Sequence, residues 1–118
     1  MAATDAMKQA VANYVGTLGA DISLHGADPG TTGANEIAGG GYARKTTAWG
    51  AAAIVGGNAV ITGSTVQFDV EAGDAALWYG VWNGATFRYG RPLTPGVTIN
   101  AAGNGKVDVI PTYTYAQT

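Results

Sequence analysis

A chain of 118 residues has room for one domain and none for a separate catalytic module beside a binding one. Its net charge of −2, with Lys8, Arg44, Lys45, Arg88, Arg91 and Lys106 scattered, excludes an electrostatic nucleic-acid binder, which needs clustered cations to displace phosphate counterions. The absence of cysteine excludes disulfides and thiolate metal sites, and no apolar run approaches the roughly twenty residues that span a bilayer, so a soluble, cytoplasmically made protein with no membrane partner is expected.

Hydrophobic residues make up 47% of the chain, enough to fill a core. Charged residues make up only 12%, about half the usual share for a soluble domain. Two readings of that surface stay open: uncharged Thr, Asn and Gly solvate it, or other subunits bury it.

From Thr4 to Leu18 the chain predicts a helix, because Met7, Val11, Tyr14 and Leu18 recur at spacings of four, three and four and form one apolar stripe. Thr4 or Asp5 is the expected N-cap and Gly19 the expected left-handed residue after the last turn. A helix this short is marginal alone, so the stripe is expected to dock on its own domain or on a neighbouring subunit.

After Gly19 the period changes to two. In "DISLH" Ile22 and Leu24 share one face and Asp21, Ser23 and His25 the other. Further strands are expected near Tyr42–Thr47, Ala59–Thr62, Thr65–Val70, Leu77–Trp82, Thr86–Tyr89, Val97–Asn100 and Lys106–Tyr115, with the Gly-rich stretch Ala48–Asn58 as a loop. The fold class is therefore mainly β: a single sandwich or jelly-roll-like domain of about eight short antiparallel strands over residues 20–118, preceded by one N-terminal helix in residues 1–19 that belongs to the same domain.

"LWYGVW" is apolar on both sides, with Leu77, Tyr79 and Val81 on one face and Trp78, Gly80 and Trp82 on the other. Asn83-Gly84 suits a type I′ hairpin turn after it. A sandwich strand has only one face on its own core, so the second face needs a cover, either the helix stripe or another subunit. Met7, Val11, Tyr14, Leu18, Trp78 and Trp82 are accordingly the candidate subunit contacts.

No catalytic, cofactor or metal set assembles from the sequence. His25 is the one histidine, and no serine sits in a nucleophile elbow beside it. The eight acids show no pairing of the kind a glycosidase needs. Asp28, Asn35 and Glu36 offer oxygen ligands, but without a calcium-loop pattern they are better read as turn formers. Gly39–Gly41 lacks the Lys-Ser/Thr of a phosphate loop and opens no helix. The segment "GADPGTTGANEIAGGG" from Gly26 to Gly41 is expected to be an ordered Ω-like connector.

"ISLHGADPGTTGANEIAGGGYAR", "TVQFDVEAG" and "LWYGVWNGATFRYGRPLTPGVTINAAGNGKVDV" occur in order along the chain. Together they resemble a family of small tailed-bacteriophage virion proteins, named tail fibre or minor tail proteins in phages of actinobacteria and relatives. Gly26 and Glu71 depart from the Thr and Pro common in that family. The resemblance implies a virion structural protein with no catalytic residues, made in the bacterial cytoplasm and partnered with capsid or tail subunits and with copies of itself. Within that reading, a tail fibre or minor tail component and a capsid decoration protein stand close together. The alternative is a receptor- or carbohydrate-binding module of the virion, stacking sugars on Trp49, Tyr89 or Tyr113.

Overall fold

The computed structural model describes residues 3–98 and 103–115. The architecture is mainly β, with one helix and several antiparallel sheets in a sandwich-like arrangement. Helix α1 spans Asp5–Gly16, and Thr4 is its N-cap, its hydroxyl accepting from the Met7 N–H at 3.1 Å. The helix ends earlier than expected. Thr17 closes the last turn, and Gly19 is not left-handed. Glycine stands at 19 for a different reason: a Cβ there would lie 2.5 Å from the Trp82 carbonyl oxygen.

Nine strands follow among the described residues: β1 (Asp21–His25), β2 (Lys45–Thr46), β3 (Ala53–Val55), β4 (Asn58–Thr62), β5 (Val66–Val70), β6 (Ala75–Asn83), β7 (Thr86–Thr98), β8 (Gly105–Val109) and β9 (Thr112–Tyr115). The main sheet has the order β2-β1-β6-β7, β3-β4-β9 form a second sheet, and β5 pairs with β8. Ile22, Leu24, Tyr79 and Val81 on the inner face of the main sheet pack with Val66, Phe68, Val70, Val107 and Val109. Period-two alternation is the cause, since each strand presents every second side chain to this core.

Several boundaries differ from the sequence reading for physical reasons. Ala53–Val55 is a strand inside the expected loop, because Gly56 and Gly57 both take positive φ and close a two-residue hairpin onto β4. The expected strands at Thr86–Tyr89 and Val97–Asn100 belong to one long β7, residues 99 and 100 lying outside the described set. Lys106–Tyr115 is split at Pro111, which has no N–H to give a ladder. The β6-β7 turn is centred on Gly84-Ala85, with positive φ at Gly84 and not at Asn83, so it matches a II′ pattern rather than I′.

Helix α1 packs on β4, β9 and β3 of its own chain through a face other than the Met7–Val11–Tyr14–Leu18 stripe, leaving a neighbouring subunit as the other expected partner of that stripe. Ala12 is fully buried beside Ile61, and a Cβ on Gly16 would lie 3.2 Å from Ile61 Cδ1. Around them, Lys8 Nζ donates to Gly57 O at 2.8 Å, Gln9 Nε2 to Ala52 O at 3.3 Å, and Ala52 N to Asn13 Oδ1 at 2.8 Å. Small residues let the helix approach, and polar ones satisfy backbone groups along the β3 edge. At about 100° per residue, Ala12 and Gly16 lie roughly opposite the Met7–Val11–Tyr14–Leu18 stripe. Met7 is 48% and Tyr14 64% exposed, while Val11 and Leu18 are half-buried.

Candidate functional site

The chemistry-bearing residues converge on the outer face of the main sheet. Gly80 and Trp82 of β6 stand there beside Ser23 and His25 of β1, brought together by the antiparallel register Ser23↔Gly80 and Asp21↔Trp82. Within the chain the cover over this face is the connector between β1 and β2, and the helix packs elsewhere. Pro29 is buried against Gly90 of β7, where an added Cβ would come 2.4 Å from its ring. Gly33 rests on Trp82, and Phe87 meets the indole edge-on with centroids 5.1 Å apart. Trp82, 8% exposed, is therefore packed into the core of its own chain. Trp78, on the same side of β6, is half-buried, and Leu77 is 41% exposed because the β6-β7 register shifts beside it.

Asn35, at φ 64°, donates from its side chain to Asp28 O, and Asp28 Oδ1 accepts from Gly30 N in an Asx turn. Glu36 bonds side chains rather than local backbone: it accepts from Tyr42 Oη at 2.7 Å and from Arg44 Nε and Nη2 at 3.0 and 2.9 Å. Tyr42 Oη in turn accepts from Leu24 N at 2.9 Å, and the Arg44 guanidinium lies 3.6 Å from the Trp82 ring centroid. One carboxylate thus ties the end of the connector to the strand it leaves. Burial opposes the charge on Glu36, but the bonds from Arg44 and Tyr42 outweigh it and hold the carboxyl below its ordinary range. Burial, with Glu36 beside it, pushes the Tyr42 phenol up.

Beneath the connector runs a chain of hydrogen bonds whose protons can be placed by elimination. Ala34 O only accepts, so His25 Nδ1 donates to it at 2.7 Å, leaving Nε2 of the neutral ring as an acceptor. Ser23 Oγ donates to Nε2 at 2.6 Å and accepts from Trp82 Nε1 at 2.8 Å. Ser23 and His25 are both fully buried. Burial lowers the His25 pKa, against the opposing pull of the Ala34 bond and of Glu36. The sequence places Ser23 and His25 on one face of a strand, but nothing local shows that this face is buried or that Trp82 joins them.

A second feature lies at the other edge of the sandwich, where Tyr79, Arg91, Leu93, Ile110, Thr112 and Thr114 line a cleft of about 380 Å³. Arg91 Nη1 donates to Thr112 O at 2.7 Å, and Tyr79 Oη bonds both the carbonyl and the N–H of Thr112. Of the expected sugar platforms, Trp49 packs between the two cores with its Nε1 on Gly19 O, and Tyr89 and Tyr113 pack edge-on against each other with centroids 5.7 Å apart. Among the described residues no group of three or more His, Cys, Asp or Glu is placed to hold a metal, and no helix is long and apolar enough to cross a membrane.

The family model for podophage GP4 fiber I protein gp80 matches residues 4–109, in agreement with the phage-fibre resemblance. No curated protein and no solved structure matches the chain. With the match running from the N-cap of α1 through the last residue of β8, the chain belongs to this podophage fibre family.

Proposed function

We propose that this protein is a non-enzymatic structural component of a phage virion, a tail-fibre or minor tail building block that assembles with other virion subunits and with copies of itself. The observation that carries the reading is the stripe of α1: Met7 and Tyr14, which share a helix face with the half-buried Val11, are exposed. Exposed apolar groups aligned along one helix face suit a protein partner. The one serine-histidine pair that could suggest acyl transfer is sealed beneath the connector, with its hydrogen bonds directed to Trp82 and Ala34.

Sedimentation velocity over a concentration series tests this reading. Self-association that weakens when Met7 and Tyr14 become serine supports it, and a clean monomer at high concentration counts against the homo-oligomer. Capsid decoration assembles through the same kind of contact, and the position of the protein in a map of the particle separates head from tail. The Arg91 cleft favours a second reading, a receptor-binding module, because it holds a guanidinium beside threonines and apolar side chains. Saturation-transfer NMR against acidic sugars, with Arg91→Gln as control, tests it.

A further inference from the structure

We propose that the connector from Gly26 to Gly41 is a proton-operated cover, held shut by neutral His25 and released when that ring is protonated, exposing the Trp82–Phe87 aromatic face. In the closed state every proton of the hydrogen-bond chain has an assigned place. Trp82 Nε1–H gives to Ser23 Oγ, Ser23 Oγ–H to His25 Nε2, and His25 Nδ1–H to Ala34 O in the connector. A second proton on the ring makes Nε2 a donor facing a hydroxyl that already donates to it. Ser23 would then receive two donors and need a new acceptor for its own hydrogen, and a buried donor without a partner is costly.

The surroundings leave little room for that rearrangement. Gly80 presses so close that an added Cβ would stand 2.6 Å from Ser23 Oγ and 2.8 Å from His25 Nε2. Phe87 of β7 closes another side, with its ring centroid 6.3 Å from that of His25. Neither β6 nor β7 offers a charge here: they present Gly80, Trp82 and Phe87. The charges that reach His25 are Glu36, which favours the cation, and Arg44, which opposes it, and the two are paired with each other. Water is the remaining way to solvate an imidazolium here, and water enters only if the connector lifts.

Lifting is a local event. The connector's backbone tie to β1 is Ile37 N to Leu24 O, Gly26 N to Asn35 O closing the connector on itself, whereas the inner core between the main sheet and β5-β8 uses none of its residues except the partly buried Ile37. The low-stability end of a structure is where such openings occur.

Amide hydrogen exchange on the intact chain from pH 8 to pH 5, corrected for intrinsic rates, tests the proposal, with the His25 ring followed by NMR in the same samples. Below the ordinary histidine value of 6.5, the opening equilibrium at Gly26, Ala34 and Ile37 is expected to rise by up to about tenfold per pH unit. Phe68 and Val107 are expected to keep their protection, and the ring to titrate together with the connector amides. The proposal is overturned if those amides stay equally protected across the range, if the ring titrates while they remain protected, or if β5 and β8 open in step with them. His25→Gln, where it folds, is expected to abolish the pH dependence; the wild-type ring titration decides the same question without any variant.

Discussion

Gly33 of the connector lies flat against Trp82 of the main sheet, so close that a Cβ on it would come 2.5 Å from the indole. Its φ is +77°, so alanine there brings backbone strain as well as overlap. Gly33→Ala is expected to cost about 2–4 kcal/mol, the sum of a left-handed penalty and an overpacked contact. Gly30, at φ +61° with open space around it, isolates the first effect, and Gly30→Ala is expected to cost only about 1 kcal/mol. Urea denaturation of the two variants beside the parent measures the difference, and equal costs would mean that the contact with Trp82 adds nothing.

Buried Tyr79 and half-buried Tyr89 separate a used hydroxyl from an idle one. Tyr79 Oη donates to Thr112 O at 2.8 Å and accepts from Thr112 N at 3.0 Å, tying the main sheet to β9. Among the described residues the buried Tyr89 hydroxyl has no partner. Tyr79→Phe is expected to destabilise by about 1–2 kcal/mol, and Tyr89→Phe to be neutral or stabilising, because deleting an unpaired buried group removes a desolvation cost. Thermal or chemical denaturation checks both signs.

Glu36 sets an acid limit on the connector. Its native pKa lies below the ordinary carboxyl value because Arg44 and Tyr42 outweigh burial, so below about pH 4.5 the unfolded chain binds more protons than the native one. The stabilisation from these bonds is present above that ordinary value and is lost as pH falls through the lower native one. Glu36→Gln is expected to cost about 1 kcal/mol at pH 7 and to show a shallower loss of stability between pH 5 and pH 3. Denaturant midpoints as a function of pH would show parallel curves if Glu36 carried none of this.

Helix α1 offers a test that separates folding from assembly. Met7 and Tyr14 face away from the docking surface, so Met7→Ser with Tyr14→Ser is expected to change monomer stability by no more than about 0.5 kcal/mol per site. Ala12→Leu overfills the contact with the second sheet and is expected to destabilise by about 1–3 kcal/mol. Circular dichroism reads the monomer effect, and sedimentation velocity reads any loss of self-association in the serine pair.

The sequence by itself determined that this chain is mainly β behind one short helix, because capping and period-two alternation are local signals. Thr4 caps α1, "DISLH" and "VQFDV" are strands, and a hairpin turn follows Asn83, each legible from neighbours in the chain. The connector was legible as ordered, and its glycines as turn formers. Its role as a cover was not legible, and neither was the hydrogen-bond chain beneath it, since Ser23 and Trp82 stand 59 residues apart and meet only through the β1-β6 register. The helix shows the same limit in reverse. Its periodic stripe truly lies on one face, but periodicity says nothing about which face docks, and here close approach by Ala12 and Gly16 and the unpaired backbone of the β3 edge outweighed apolar area. Alternation along a strand marks two faces, and only the packing of distant segments decides what covers each of them.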